Sequence, residues 1–91
     1  MNELRRVRVV VSGFVQAVGF RATARSRARS LEVAGWVRNN PDGTVEAELE
    51  GPPDRVASFV DWFRRGPYGA RVDSIEVEPR EPTGEQGFSI R

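Results

Sequence analysis

The hydrophobic period changes repeatedly along this chain, and the order of the changes restricts what it can fold into. In "RVRVVVSG", Val7, Val9 and Val11 fall on one side and Arg8, Val10 and Ser12 on the other, which predicts a strand. From Phe20 the period becomes helical: Phe20, Ala24, Ala28 and Leu31 share a face, while Arg25, Arg27 and Arg29 project elsewhere. A short β-leaning segment, "GWVRN", then leads into "NPDG", with Pro41 at the second and Gly43 at the fourth turn position, as type I chemistry prefers. "TVEAELEG" alternates strictly, so residues 36–51 read as a hairpin that buries Val45, Ala47 and Leu49 and exposes Glu46, Glu48 and Glu50. Pro52 and Pro53 open a second helix, where missing N–H groups cost nothing. Its stripe is Val56, Phe59, Val60 and Phe63, and "GP" at 66–67 ends it. "VDSIEVEP" and "GFSIR" supply a fourth strand and a short last one, through Ile75, Val77, Phe88 and Ile90.

The resulting order is βαββαβ plus a short C-terminal strand. It predicts an α+β, ferredoxin-like sandwich: an antiparallel sheet with two helices on one face, formed by residues 1–91 as a single domain. A right-handed first βαβ unit brings the carboxyl ends of strands 1 and 2 to one edge. The loop 13–19, Arg21 at the start of helix 1 and the "RNN" of 38–40 should therefore lie near one another.

Composition removes several classes of chemistry. The chain has no cysteine and no histidine, which excludes disulfides, thiol nucleophiles and the usual base and zinc ligand. No metal and no cofactor is expected. No apolar run approaches the roughly 20 residues of a membrane span, and the N-terminus lacks the look of a signal peptide. A cytoplasmic monomer, with no membrane partner, is the expectation. The net charge of +1 hides an asymmetry: residues 1–40 carry eight arginines against Glu3 and Glu32, and the remainder six arginines against eleven acids. The basic half is either a solvated face or a surface for an anion. An RNA-binding module of this topology needs aromatics on its third strand; "TVEAELE" offers acids, so no nucleic-acid partner is expected.

Gly13 and Gly19 bracket five residues between a strand end and a helix start, a loop able to turn its N–H groups inward as an anion nest. The glycine spacing fits neither a P-loop nor a dinucleotide fingerprint. Arg21 is a cation in a first helical turn, opposing the macrodipole by about 0.3–1 kcal/mol, with no acid between Glu3 and Glu32 to offset it. A bound anion would reverse that misfit, because guanidinium grips phosphate through paired hydrogen bonds. The alternative is a surface residue paired with a distant carboxylate. Asn40 suits turn chemistry, whereas Asn39 has the parity of the inward Val37, and a buried-side amide asks for a partner. Turn formation is the alternative reading of Asn39 as well. Trp36 and Trp62 are expected as core or cover residues.

"VSGFVQAVGFR" (11–21) resembles the first acylphosphatase signature, an apolar residue followed by x-G-x-V-Q-G-V-x-F-R. "GWVRNNPDGTVEAELEG" (35–51) resembles the second, and the "EGPPDRVASFVDWF" helix and "GFSIR" ending are also like that family's. The resemblance spans nearly the whole chain and implies a small, free-standing hydrolase that converts acyl phosphates to carboxylate and phosphate. By that resemblance Arg21 binds the phosphoryl group and Asn39 positions the attacking water. Gly13, Phe14, Val15, Gln16, Ala17, Val18 and Gly19 form the backbone cradle, which phosphate or sulfate could also occupy. The rival is a non-catalytic acylphosphatase-like module that binds an anion or a protein; the intact Arg21 and Asn39 favour the enzyme.

Without histidine, and with Asp42 explained by the hairpin turn, a protein general base is hard to find. A phosphate dianion, with a second pKa near about 6, can accept the proton of water itself. Substrate-assisted attack is therefore expected, with the protein supplying position and electrostatic stabilisation. Two positions depart from the family pattern. Ala17 stands where a glycine is usual; a left-handed conformation there costs roughly 1 kcal/mol and could narrow the cradle. Glu32 stands where a glycine commonly ends helix 1.

Overall fold

The structure, a computed structural model, describes residues 3–91. The elements follow in the expected order: β1 (Arg5–Phe14), α1 (Phe20–Leu31), β2 (Ala34–Asn39), β3 (Val45–Gly51), α2 (Pro53–Arg65), β4 (Arg71–Arg80) and β5 (Phe88–Ile90). The strands form one sheet in the order β4-β1-β3-β2-β5. The first four pair antiparallel, but β5 runs parallel to β2, so the sheet is mixed rather than wholly antiparallel. The reason is where the chain crosses. Arg6 of β1 pairs with Arg80 and Glu50, and Glu50 pairs with Ala34, so β4 ends at the level where β2 begins. After crossing there, the chain re-enters at the far edge running with β2.

Alternation on β1 and β3 puts Val7, Val9, Val11, Val45, Ala47 and Leu49 on one face, joined by Val37 of β2, all fully buried. Phe20, Ala24 and Ala28 of α1 and Val56, Phe59, Val60 and Phe63 of α2 pack into the same cluster. Both helices therefore cover one face. Trp62 belongs to this core, with its ring edge-on to Phe20 at 5.2 Å. Trp36 instead lies on the opposite face, with the guanidinium groups of Arg38 and Arg91 at 5.1 and 4.8 Å from its ring centre.

The opposite face corrects one expectation. Glu46 and Glu50 are buried, at 6% and 3% exposure, and only Glu48 is half-exposed. Strand register sets Arg6 directly opposite Glu50 and diagonal to Glu48, and Arg8 diagonal to Glu46. Arg6 donates to Glu48 at 2.6 Å, to Glu50 at 3.0 Å and to Glu85 at 2.9 Å, and Arg8 donates to Glu46 at 2.6 Å. Glu50 also accepts from the backbone N–H groups of Thr83 and Gly84, so the segment after β4 lies across the cluster and seals it. Alternation marks a second face; it does not say what covers that face.

Candidate active site

Three kinds of residue shape the loop between β1 and α1. Val15 is buried in the core and Val18 packs against its margin, so apolar side chains peg the loop down. The Gln16 amide donates to the carbonyls of Asn40 at 2.8 Å and Thr44 at 3.0 Å, which ties the loop to the hairpin turn. Ala17 and Gly19 have φ of 62° and 73°, while the residues between and beside them do not have positive φ. Such alternation of hand turns successive N–H groups toward one concavity. Among the described residues, no acceptor takes the backbone N–H of any residue from 15 to 22. Gly19 caps α1 without a side chain, so the first-turn donors stay open.

Arg21 stands in that first turn, which holds no acid, and it has no carboxylate partner among the described residues. The hairpin separates the two asparagines. The Asn40 amide donates to Thr44 Oγ1 and Glu46 Oε1, at 3.0 and 3.1 Å, and its oxygen accepts from Arg38. The Asn39 side chain makes no hydrogen bond among the described residues and lies on the helix-bearing face with Val37. Asp42 accepts from the N–H and hydroxyl of Thr44, bonds that hold its carboxyl below the ordinary range and keep it in the turn.

A cavity of about 220 Å³ gathers Val15, Ala17, Gly19, Phe20, Arg21, Ala22, Asn39 and Ile90. Arg21 and Asn39, from the two ends of the sequence argument, thus share one wall-to-wall space with Val15, Ala17 and Gly19 of the loop. Gly13, Phe14, Gln16 and Val18 do not line it. Gly13 and Phe14 extend β1, where a register shift at Ser12/Gly13 brings Gly13 against β4. A Cβ on Gly13 would stand 2.2 Å from the Arg71 carbonyl oxygen, so that glycine serves strand approach. Gln16 faces the hairpin, and Val18 lines a separate groove with Arg27, Trp62 and Arg65.

Phe20, Ala22 and Ile90 also line the cavity, though the sequence marks Phe20 and Ile90 only as helix-face and strand residues; of the three, Ile90 is the one brought in from a distant part of the chain. Its place depends on β5 pairing with β2, a non-local event with no short-range signal in "GFSIR". Among the described residues, Arg21 is the one charged group on the cavity wall, and no carboxylate joins it. Among the described residues, no group of three potential ligands is placed to hold a metal. The arrangement offers open N–H donors, one guanidinium and one free amide, which suits an oxyanion with a polar neighbour to be positioned beside it.

The family model for acylphosphatase matches residues 7–90. An acylphosphatase of Anaeromyxobacter dehalogenans is 54% identical over 92 residues, covering 100% of this chain and 99% of its own length. One from Roseiflexus sp. is 50% identical, covering 99% and 98%. The crystal structure of acylphosphatase from Bacillus subtilis superposes with a TM-score of 0.92 at 39% identity, over 98% of this chain and 99% of that one.

Proposed function

Since this chain belongs to the acylphosphatase family, enzymes that hydrolyse small acyl phosphates to carboxylate and phosphate, we propose that the cavity between Arg21 and Asn39 is where it performs that reaction. The observation that carries this reading is the coincidence of an unpaired guanidinium, a row of open N–H groups and an unbonded amide in one cavity. The phosphoryl oxygens take hydrogen bonds from the N–H groups about Ala17 and Gly19, and Arg21 supplies the charge. Inorganic phosphate or sulfate fits the same cradle. All these groups come from one chain, so a monomer suffices.

Asn39 holds the water in line with the bond that breaks. Water oxygen bonds to phosphorus as the P–O bond to the acyl oxygen breaks, and the carboxylate leaves with the electron pair. One water proton passes to a phosphoryl oxygen, giving the carboxylate and dihydrogen phosphate with charge conserved. No histidine exists to take that proton, and Asp42 is engaged in its turn, so the substrate's own phosphoryl group is the acceptor. A carboxylate leaves readily, and the chain's contribution is position and charge stabilisation.

The test is hydrolysis of benzoyl phosphate or acetyl phosphate by the purified protein. Wild type is expected to turn over at the same rate with and without chelator. Arg21→Ala and Asn39→Ala should each lower turnover by about a hundredfold or more, with unchanged far-UV circular dichroism. Absence of hydrolysis by wild type, or a full rate in Asn39→Ala, would overturn the assignment.

A further inference from the structure

An amide that positions a nucleophile has to be held in one rotamer, yet Asn39 makes no hydrogen bond among the described residues that could fix it. Packing must do so instead. On the sheet edge beyond β2 lies β5, where Val37 pairs with Ile90. Asn39 follows Val37 by two residues, so Ile90 and Asn39 stand on the same face of adjoining strands, and both line the cavity. Ile90 is half-buried against the core rather than enclosed by it. A branched hydrocarbon there forms part of the cavity wall on the Asn39 side.

The three-residue β5 is too short to hold its place through its own ladder alone. The N–H of Gly35 donates to the Gly87 carbonyl and that of Arg91 to the Val37 carbonyl, at 2.9 and 2.8 Å, closing the strand at both ends. Behind it, the ion cluster on the opposite face grips the segment that delivers it. Glu50 accepts from the N–H groups of Thr83 and Gly84, at 2.8 and 2.9 Å, and Arg6 donates to Thr83 and Glu85. Glu85 also lies 3.8 Å from Arg91, whose guanidinium covers Trp36 of β2. Arg6 and Glu50 are themselves 4% and 3% exposed, so the sheet end of this anchor is shielded from water, while Thr83 and Gly84 at its outer end are exposed.

We propose that Ile90 is a positioning residue for the attacking water, acting through Asn39, and that the Arg6–Glu50–Glu85 cluster across the sheet sets where Ile90 stands. This rests on the reading of Asn39 given above. The misplacement that follows truncation falls on the nucleophile and not on the phosphoryl group, so turnover and binding separate.

The experiment measures kcat, KM and the affinity for inorganic phosphate in Ile90→Ala, Ile90→Val, Glu85→Gln and Asn39→Ala, with the Ile90→Ala/Asn39→Ala double variant. Ile90→Ala is expected to lower kcat about tenfold, with phosphate affinity within about twofold of wild type, and Ile90→Val to recover most of the rate. Glu85→Gln, outside the cavity, should show a smaller loss of the same kind. In the double variant the Ile90→Ala loss should vanish, because both changes act on one water. A kcat for Ile90→Ala within about twofold of wild type would overturn the proposal, as would a parallel loss of phosphate affinity or full additivity in the double variant. If Asn39→Ala itself keeps its rate, the underlying assignment fails; if only Asn39→Ala loses turnover, the assignment stands and this inference fails.

Discussion

Among the described residues, Ala17 and Glu32 are the two other than glycine with positive φ, at 62° and 56°. Each costs about 1 kcal/mol or more for holding a Cβ in the left-handed region. Glu32 ends α1 in a Schellman arrangement: its N–H donates to the Arg29 carbonyl and that of Val33 to Ala28, while Val33 and Ala28 are both buried. Its ion pair with Arg55 is exposed and contributes little. Ala17→Gly and Glu32→Gly should each raise the unfolding free energy by about 1 kcal/mol, read as a higher urea midpoint at unchanged m-value; an unchanged or lower midpoint would contradict the strain. Both sites were legible from the sequence, because a motif glycine had been replaced. Asn39 and Asn40 were separable too, since one residue of parity assigns a side chain to the opposite face. Ile90 was not, because its neighbour is fixed by a strand pairing far along the chain. Nor was the place of Gly13, which looks like a loop boundary until β4 is seen pairing beyond it.

At the scale of elements, the periodicities of β1, α1, β3 and α2 gave the order and the core, because each buries one face against a partner. What they left open was the second face of the sheet, where like-looking glutamates differ in burial according to what lies over them: the Thr83–Gly84 segment on Glu50, and Arg38 and Asn40 beside Glu46. Burial pushes the Glu50 carboxyl up, but the Thr83 and Gly84 N–H groups and the Arg6 guanidinium outweigh it, leaving it below the ordinary carboxylate range. Burial likewise opposes, and Arg8, Arg38 and Asn40 overcome it, in holding Glu46 low. Both carboxylates ionise more readily folded than unfolded. Their stabilisation is therefore complete above the unfolded glutamate pKa of about 4.3 and fades as pH falls through their lower folded values. Glu50→Gln should cost about 3 kcal/mol at neutral pH by leaving Arg6 partly unpaired, and its stability should fall less steeply than wild type below pH about 4. Parallel pH profiles in urea unfolding would show that Glu50 does not titrate as described.

Over the whole molecule, charge is distributed by function more than by sequence. Of the sheet arginines, Arg6, Arg8, Arg38, Arg71 and Arg80 have carboxylate partners, whereas Arg5 at the start of β1 has none among the described residues. Among the described residues, Arg21, Arg25, Arg27 and Arg29 of α1 have none, and that helix contains no acid. A helix of four unpaired cations whose first turn borders the cavity makes a local positive field in a chain of net charge +1. The basic half noted in the sequence thus divides: Arg6, Arg8 and Arg38 are paired on the sheet, and the unpaired cations run along α1 from Arg21 at the cavity to Arg29 in the last turn. Raising ionic strength from about 0.01 to 0.5 M should lower kcat/KM for an acyl phosphate about threefold to tenfold with little change in kcat, and Arg25→Glu should flatten that dependence; a salt-independent kcat/KM would remove the field from the account. In the proposed division of labour the loop and Arg21 hold phosphate and Asn39 holds water. Calorimetric titration of wild type, Arg21→Ala and Asn39→Ala with inorganic phosphate tests it most directly. Phosphate binding is expected to weaken by about tenfold or more in Arg21→Ala and to survive in Asn39→Ala; equal loss in both variants, or unchanged binding in Arg21→Ala, would show that the two residues do not divide the work this way.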